Sequence, residues 1–247
     1  MDGTWHLDDI CSDDSAGQWI IDNIRNFDGT VGSLLPLVFP VYSRILHPAA
    51  RIGQTGAPAV RTPVTWQEVA DVSNAVIHQT VEWGSILEAG ATTPASDTRD
   101  QLWDEEPSTG ELPLPQRSAL AAVLERFTRT PDDCWFGVWE GNSYLGVDPH
   151  GPRLHLPQRS MLLFRGPVGA AVNTFQGHGP NVWWPADQAW CVATDIDLMS
   201  TYIGASTEAS RAVAAEATLE VVGASKDQRV TWDSDGINPL PDRPYGR

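Results

Sequence analysis

The chain has 247 residues, 41% of them hydrophobic, with eleven tryptophans and a formal net charge of −16 from 16 basic and 32 acidic residues. That balance argues against free nucleic acid and against an anionic membrane surface, because both are met by clustered Lys and Arg. Cys11, Cys134 and Cys191 give neither a disulfide framework nor a metal-type spacing, no run approaches the ~18 apolar residues of a membrane span, and the acidic start MDGTWHLDD lacks a signal region. The composition therefore reads as a cytoplasmic protein with reduced thiols, no metal and no cofactor. Its acidity suits solubility or a basic protein partner. Lys226 is the sole lysine, and the other fifteen basic residues are arginines.

Residues 1–16, with Asp2, Asp8, Asp9, Asp13 and Asp14, read as a flexible acidic arm. Ile20, Ile24 and Phe27 share a helical face, which predicts a short amphipathic helix before Gly29 and Gly32. Pro36 and Pro40 exclude a regular helix over 34–46, and Val41 to Leu46 fits a strand. Arg51 to Pro63 reads as a loop. Thr65-Trp-Gln-Glu68 is a capping box, and Val69, Val72, Val76 and Ile77 extend a helix from it to about Val81. Glu88 to Pro113, rich in Gly, Pro, Ser and acidic residues, reads as a long loop or linker. Pro115 opens the next helix at its first position, with Leu120, Val123, Leu124 and Phe127 as the buried stripe.

From Cys134 the pattern turns to strands. Cys134 to Glu140, a Gly141-Asn142 turn and Tyr144 to Val147 read as a hairpin. Leu154 to Leu156 and Met161 to Phe164 are further strands. Ser206 or Thr207 caps a helix carrying Ala209, Val213, Ala214 and Ala217, and a strand follows near Leu219 to Val222. The sum is one α+β domain over 1–247, with a mainly antiparallel C-terminal sheet and three to four packed helices. A helical subdomain over 17–110 and a sheet subdomain over 114–225 are a possible division. Residues 226–247 read as a second flexible tail.

The densest stretch is NVWWPADQAWCVATDIDLMSTYIGAS, residues 181–206. Strand alternation places Trp190, Val192, Thr194 and Ile196 on one face and Cys191, Ala193, Asp195 and Asp197 on the other. Paired carboxylates on one strand face bind a cation or share acid and base roles, though they also commonly end a strand in solvent. Trp139, Trp183 and Trp184, with Asp195, Asp197 and His155 or His178, are the candidate ligand-binding set. Its plainer reading is a Trp-rich core with loop histidines. Adjacent Trp183 and Trp184 face opposite ways, so one is exposed unless both sheet faces are covered. Cys134 and Cys191, flanked by aromatics, read as core residues before nucleophiles. Asp148 with His150 and His155 lacks a recognised ligand spacing. RGPVGAAVNTFQGHGP over 165–180 matches no phosphate loop or dinucleotide fingerprint. Asp233-Ser-Asp-Gly236 lacks the remaining ligands of a calcium loop.

The blocks CWFGVWEG and WWPADQAWCVATDID, with VYSRILHPA upstream, resemble those of an uncharacterised family of soluble bacterial proteins. The resemblance covers most of the chain and implies no activity and no catalytic residues. The acidic, Trp-rich α+β make-up is also similar in style to cytosolic immunity proteins of toxin systems. Two functions follow as expectations. One is a binding protein that neutralises or scaffolds a basic protein partner. The other is an enzyme or small-ligand binder with a Trp-lined pocket and Asp/His polar groups.

Overall fold

The computed structural model describes residues 3–53, 60–91, 102–142 and 144–244. Its strands are β1 Thr4–Trp5, β2 Val41–Leu46, β3 Ala49–Ile52, β4 Arg61–Val64, β5 Cys134–Trp139, β6 Leu154–Leu156, β7 Arg159–Gly166, β8 Thr174–Phe175, β9 Val182–Pro185, β10 Cys191–Ala193, β11 Ser200–Ala205 and β12 Glu220–Ala224. Its α-helices are α1 Gln18–Asn23, α2 Trp66–Ser73, α3 Trp83–Ala91, α4 Leu114–Leu124 and α5 Thr207–Ala214. Eight strands form one antiparallel sheet in the order β12-β2-β11-β10-β9-β5-β7-β6, so the fold is α+β. The sheet is not wholly C-terminal. Strand β2 sits between β11 and β12 and joins the N-terminal half of the chain to it. Among the described residues, no helix is long and apolar enough to cross a membrane.

Strand alternation divides the core. Trp183, Val192, Ile203, Phe136 and Phe164 meet Leu120, Val123 and Leu124 of α4 and Ala209 and Val213 of α5 on one face. On the other face Trp184, Ala193, Tyr202, Tyr42 and Met161 meet Ile20 of α1, Val31, Leu35 and Val230. Both faces are thus covered, and Trp183 and Trp184 are each 1% exposed. An indole removes roughly 200 Å² from water, worth on the order of 5 kcal/mol by area. A third cluster packs α2 and α3 on Leu46, Ala49 and Val64.

Local signals account for much of this. Thr65 Oγ1 accepts from the Glu68 amide at 3.1 Å while Glu68 accepts from the Thr65 amide at 2.7 Å. The Ser206 hydroxyl caps α5 by accepting from the Ala209 amide at 3.2 Å. Several elements differ from expectation. Helix α2 stops at Ser73 because Asn74 turns left-handed at φ 55°, with its amide on Ala70. Pro115 is the second residue of α4, not the first. Of the stretch 51–63 expected as a loop, Arg51 and Ile52 pair in β3 with Thr62 and Arg61 of β4, and residues 54–59 lie outside the described residues. Among the described residues, no strand runs back from Tyr144. The chain turns at Glu140–Asn142, and β5 pairs instead with β7 and β9 on its two edges.

Of the segment expected as a linker over 88–113, residues 92–101 lie outside the described residues; α3 continues to Ala91 and Leu112 is buried. Gly110, at φ 79°, lies so near the Ile196 backbone that a Cβ there would come within 2.7 Å of its carbonyl oxygen. Within the two stretches expected as flexible tails, single residues are anchored. Trp5 is buried and β1 pairs in parallel with β8. At the other end Asp235 and Asn238 are buried.

Polar groups are sealed between the sheet and the α2–α3 pair. Arg44 of β2 donates to Ser200 Oγ at 2.9 Å, to the Val81 carbonyl at 2.7 Å and to Glu82 Oε1 at 3.2 Å. The Trp66 and Tyr202 rings each lie 5.7 Å from its guanidinium. His47, fully buried, donates from Nδ1 to the Ser108 carbonyl at 2.7 Å and accepts the Thr201 hydroxyl at Nε2 at 2.8 Å. Burial pushes its pKa from 6.5 down to about 4; the Ser108 contact opposes this and the Arg44 charge adds to it. Between those values the unfolded chain binds more protons than the folded protein, so acid favours unfolding. Stability should therefore fall by on the order of 3 kcal/mol from this group alone as pH drops from 6.5 to 4. Urea unfolding across that range should give a steeper loss for the native chain than for His47→Gln, and equal slopes would refute the assignment.

Candidate functional site

The two carboxylates singled out by the sequence are not on a strand. Strand β10 ends at Ala193, and Asp195 to Leu198 form the turn into β11, with the Leu198 amide on the Asp195 carbonyl at 3.1 Å. The Asp197 amide donates to Asp195 Oδ1 at 3.1 Å. This turn folds both side chains onto one cation. Arg159 opens β7 just after Gln158, which makes the β6–β7 turn at φ 59°. Its Nε donates to Asp195 Oδ2 at 3.1 Å, and its Nη2 reaches Asp195 Oδ1 at 3.2 Å and Asp197 Oδ2 at 3.1 Å. The same guanidinium lies 5.1 Å from the Phe27 ring and 5.9 Å from that of Trp139.

Beside this cluster is a cleft of about 250 Å³, lined by Phe27, Leu34, Asp195, Asp197, Leu198, Val230, Thr231 and Trp232 among others. Arg159 lines a narrower adjoining recess that shares Phe27, Leu34 and Asp195. The rim is held by the chain crossing itself: the Val31 amide donates to the Gln228 carbonyl at 2.9 Å, the Gly32 amide to the Lys226 carbonyl at 2.8 Å, and the Val230 amide to the Gly29 carbonyl at 2.9 Å. Gly29 makes this approach at φ 72°. Trp232 is 41% exposed and Phe27 38%, unusual for rings in a chain that buries most of its indoles. The Asp197 side chain is 56% exposed, whereas Asp195 is nearly covered.

The remaining candidates lie elsewhere. Trp183 and Trp184 belong to different cores, so they form no common pocket wall. His155 is exposed on β6 with its Nδ1 3.0 Å from Ser160 Oγ. His178 is in the turn after β8, its ring against Tyr144. No hydrogen bond joins either histidine to Asp195 or Asp197. Of the seven candidates, then, Trp139, Asp195 and Asp197 come together. Sequence reasoning missed Phe27, Trp232 and Arg159 in this role. Trp232 falls in a stretch that reads as a tail, and the signal for Arg159 is only that two close carboxylates call for a cation.

Burial raises the pKa of all three thiols, pushing Cys134 up to about 12, where nearby Asp133, Asp187 and Asp132 add to the effect. All are thus held as thiols at neutral pH. Asp148 accepts from the His150 amide within its own loop. Asp233 pairs with Arg229, and Asp235 with His78. Among the described residues, no group of three or more His, Cys, Asp or Glu is placed to hold a metal ion. Comparison of the chain with protein-family models, with curated proteins and with solved structures finds no match. What the site can do therefore rests on its geometry.

Arginines are widely committed within the molecule. Arg25, Arg44, Arg61, Arg117, Arg129, Arg153, Arg159, Arg165 and Arg229 all pair with carboxylates. With 32 acidic against 16 basic residues, that leaves an excess of unpaired carboxylate to face outward. At the cleft, two carboxylates meet one guanidinium, a local surplus of one negative charge. Arg159→Met would leave Asp195 covered without its bidentate partner and should cost about 1–3 kcal/mol. Asp197→Asn, at a half-exposed group, should cost less than about 1 kcal/mol. Urea unfolding at neutral pH checks the order, and a larger loss from Asp197→Asn would contradict this account.

Proposed function

We propose that the chain is an acidic binding protein that neutralises or scaffolds a basic protein partner, and that its cleft receives a cationic side chain of that partner. The observation that carries this reading is the pairing of exposed Trp232 and Phe27 rings with the half-exposed Asp197 carboxylate. A cation over an aromatic face gains about 0.5–1 kcal/mol in water and more when desolvated. A hydrogen bond to a charged group adds about 1.5–3 kcal/mol. The chain supplies its own example, since Arg159 occupies the same combination of aromatic ring and carboxylate one step further in. The net charge of −16 supports the reading through long-range attraction of a positive surface.

A Trp-lined pocket for a small ligand or an enzymatic substrate draws less support. Trp183 and Trp184 are consumed by two separate cores, and neither His155 nor His178 reaches the carboxylates. The test is a fluorescence-polarisation titration with a labelled peptide of alternating Arg and Gly. Binding should saturate, weaken as salt is raised about tenfold, and weaken by about fivefold or more in Trp232→Ala and in Asp197→Asn. Glu208→Gln, at an exposed carboxylate on α5, should leave it nearly unchanged. No saturable binding at low salt would overturn the proposal. Binding indifferent to both cleft variants would overturn the placement of the site.

A further inference from the structure

A second cleft, of about 300 Å³, opens away from the carboxylate cluster, where the end of β2, the start of α2, the first turn of α4 and the start of β12 meet. Its walls include Leu46, Pro48, Pro63 and Leu219, so it is largely apolar and conformationally stiff. Most of its polar groups are committed. The Thr65 hydroxyl donates to Glu68, and the Gln67 side-chain amide donates to Asp71. The Thr218 hydroxyl donates to Glu216. Glu220 accepts the Trp66 amide at 2.7 Å and the Gln67 amide at 2.8 Å, one on each oxygen.

Gln116 is the exception. It lines the cleft and is only 5% exposed, yet no hydrogen bond joins its carboxamide to any described residue. Both polar atoms of this carboxamide still reach the solvent of the cleft, so water meets them until a ligand does. A free carboxamide presents an N–H and a C=O side by side, and the group that satisfies both at once carries the same pair in reverse. A neutral ligand fits best. An anion would meet the Glu220 carboxylate, with Glu68 nearby, while Glu220 already has two amide donors and makes no call on a cation. The volume corresponds to the lower end of small-molecule pockets, room for about one ring and its substituents.

We infer that this cleft is a binding site for a small neutral molecule with a cyclic cis-amide edge, such as a lactam or the amide edge of a nucleobase, held by paired hydrogen bonds to Gln116 between the walls of Pro48, Pro63, Leu46 and Leu219. The site is independent of the carboxylate cleft and of the basic partner proposed for it.

The test uses two ring-sized probes, 2-pyrrolidone and cyclopentanone, which share shape and carbonyl but differ in the N–H. Each is titrated into the ¹⁵N-labelled full chain, and the Gln116 side-chain NH₂ resonances are followed. The expected result is a saturable shift with 2-pyrrolidone and binding at least about fivefold weaker with cyclopentanone, because the second hydrogen bond is lost. In Gln116→Met, which conserves volume, the two probes should bind equally weakly. The contrast between probes in the native chain decides the matter even if that variant fails to fold. No saturable shift means a cleft that holds solvent only, and equal binding of both probes means an apolar recess in which Gln116 plays no part. Either outcome overturns the inference.

Discussion

A guanidinium sealed inside the protein is the constraint on which most of the architecture turns. Arg44 lies on β2, and its donors bind β11 through Ser200 and the segment before α3 through Val81 and Glu82. Such a charge is tolerated in low dielectric only while its partners stay in place, and removing one partner of a buried pair typically costs about 3–5 kcal/mol. The constraint extends outward. Glu82 also accepts the Ser234 hydroxyl at 3.1 Å, and Asp235 binds His78 at 2.9 Å while taking the Asn238 amide at 2.8 Å. Sheet, helical pair and C-terminal segment are thereby held to one set of positions, and apolar packing on both sheet faces fills the space this defines.

Legibility of the fold followed the range of the interactions involved. The Thr65–Glu68 box, the Ser206 cap, the alternation of β2 and that of β10 as far as Ala193 are local and legible in the residues. Trp183 and Trp184 raised a conditional question, and the answer, coverage of both faces, depends on α4 and α5 on one side and the α1 region on the other. The failures were of another kind. Asn74 ends α2 through a left-handed backbone that a helical pattern conceals. Tyr144 to Val147 has strand composition, but β5 takes β7 and β9 as neighbours, a choice made by residues 20 to 50 positions away. Acidic and Pro-rich ends suggested tails, yet single residues in them, Trp5 and Asp235, have buried places waiting.

The candidate site shows the same limit. Asp195 and Asp197 stand out because two carboxylates in three residues are conspicuous, and the fold brings both onto Arg159. They meet it in a turn rather than on a strand face, because β10 ends at Ala193, four residues before the alternation does. Arg159, Phe27 and Trp232 come from three distant parts of the chain, and nothing local marks them. Gln116 is harder still, since an amide in the first turn of a helix looks like an ordinary surface residue until its burial is seen.

The place of β2 in the sheet has a consequence for synthesis. Arg44 and Ser200 are 156 residues apart, and β12, on the other side of β2, comes later still. During translation the segment Val41 to Leu46 emerges early and waits for nearly the whole chain before either neighbouring strand exists. For that interval an apolar strand has two open edges and an arginine without its counter-ion, a condition that favours association with other nascent chains. The arginine offers some protection, because a strand carrying an unsatisfied charge pairs poorly with a stranger. The group that fixes the finished structure thus also guards the unfinished one.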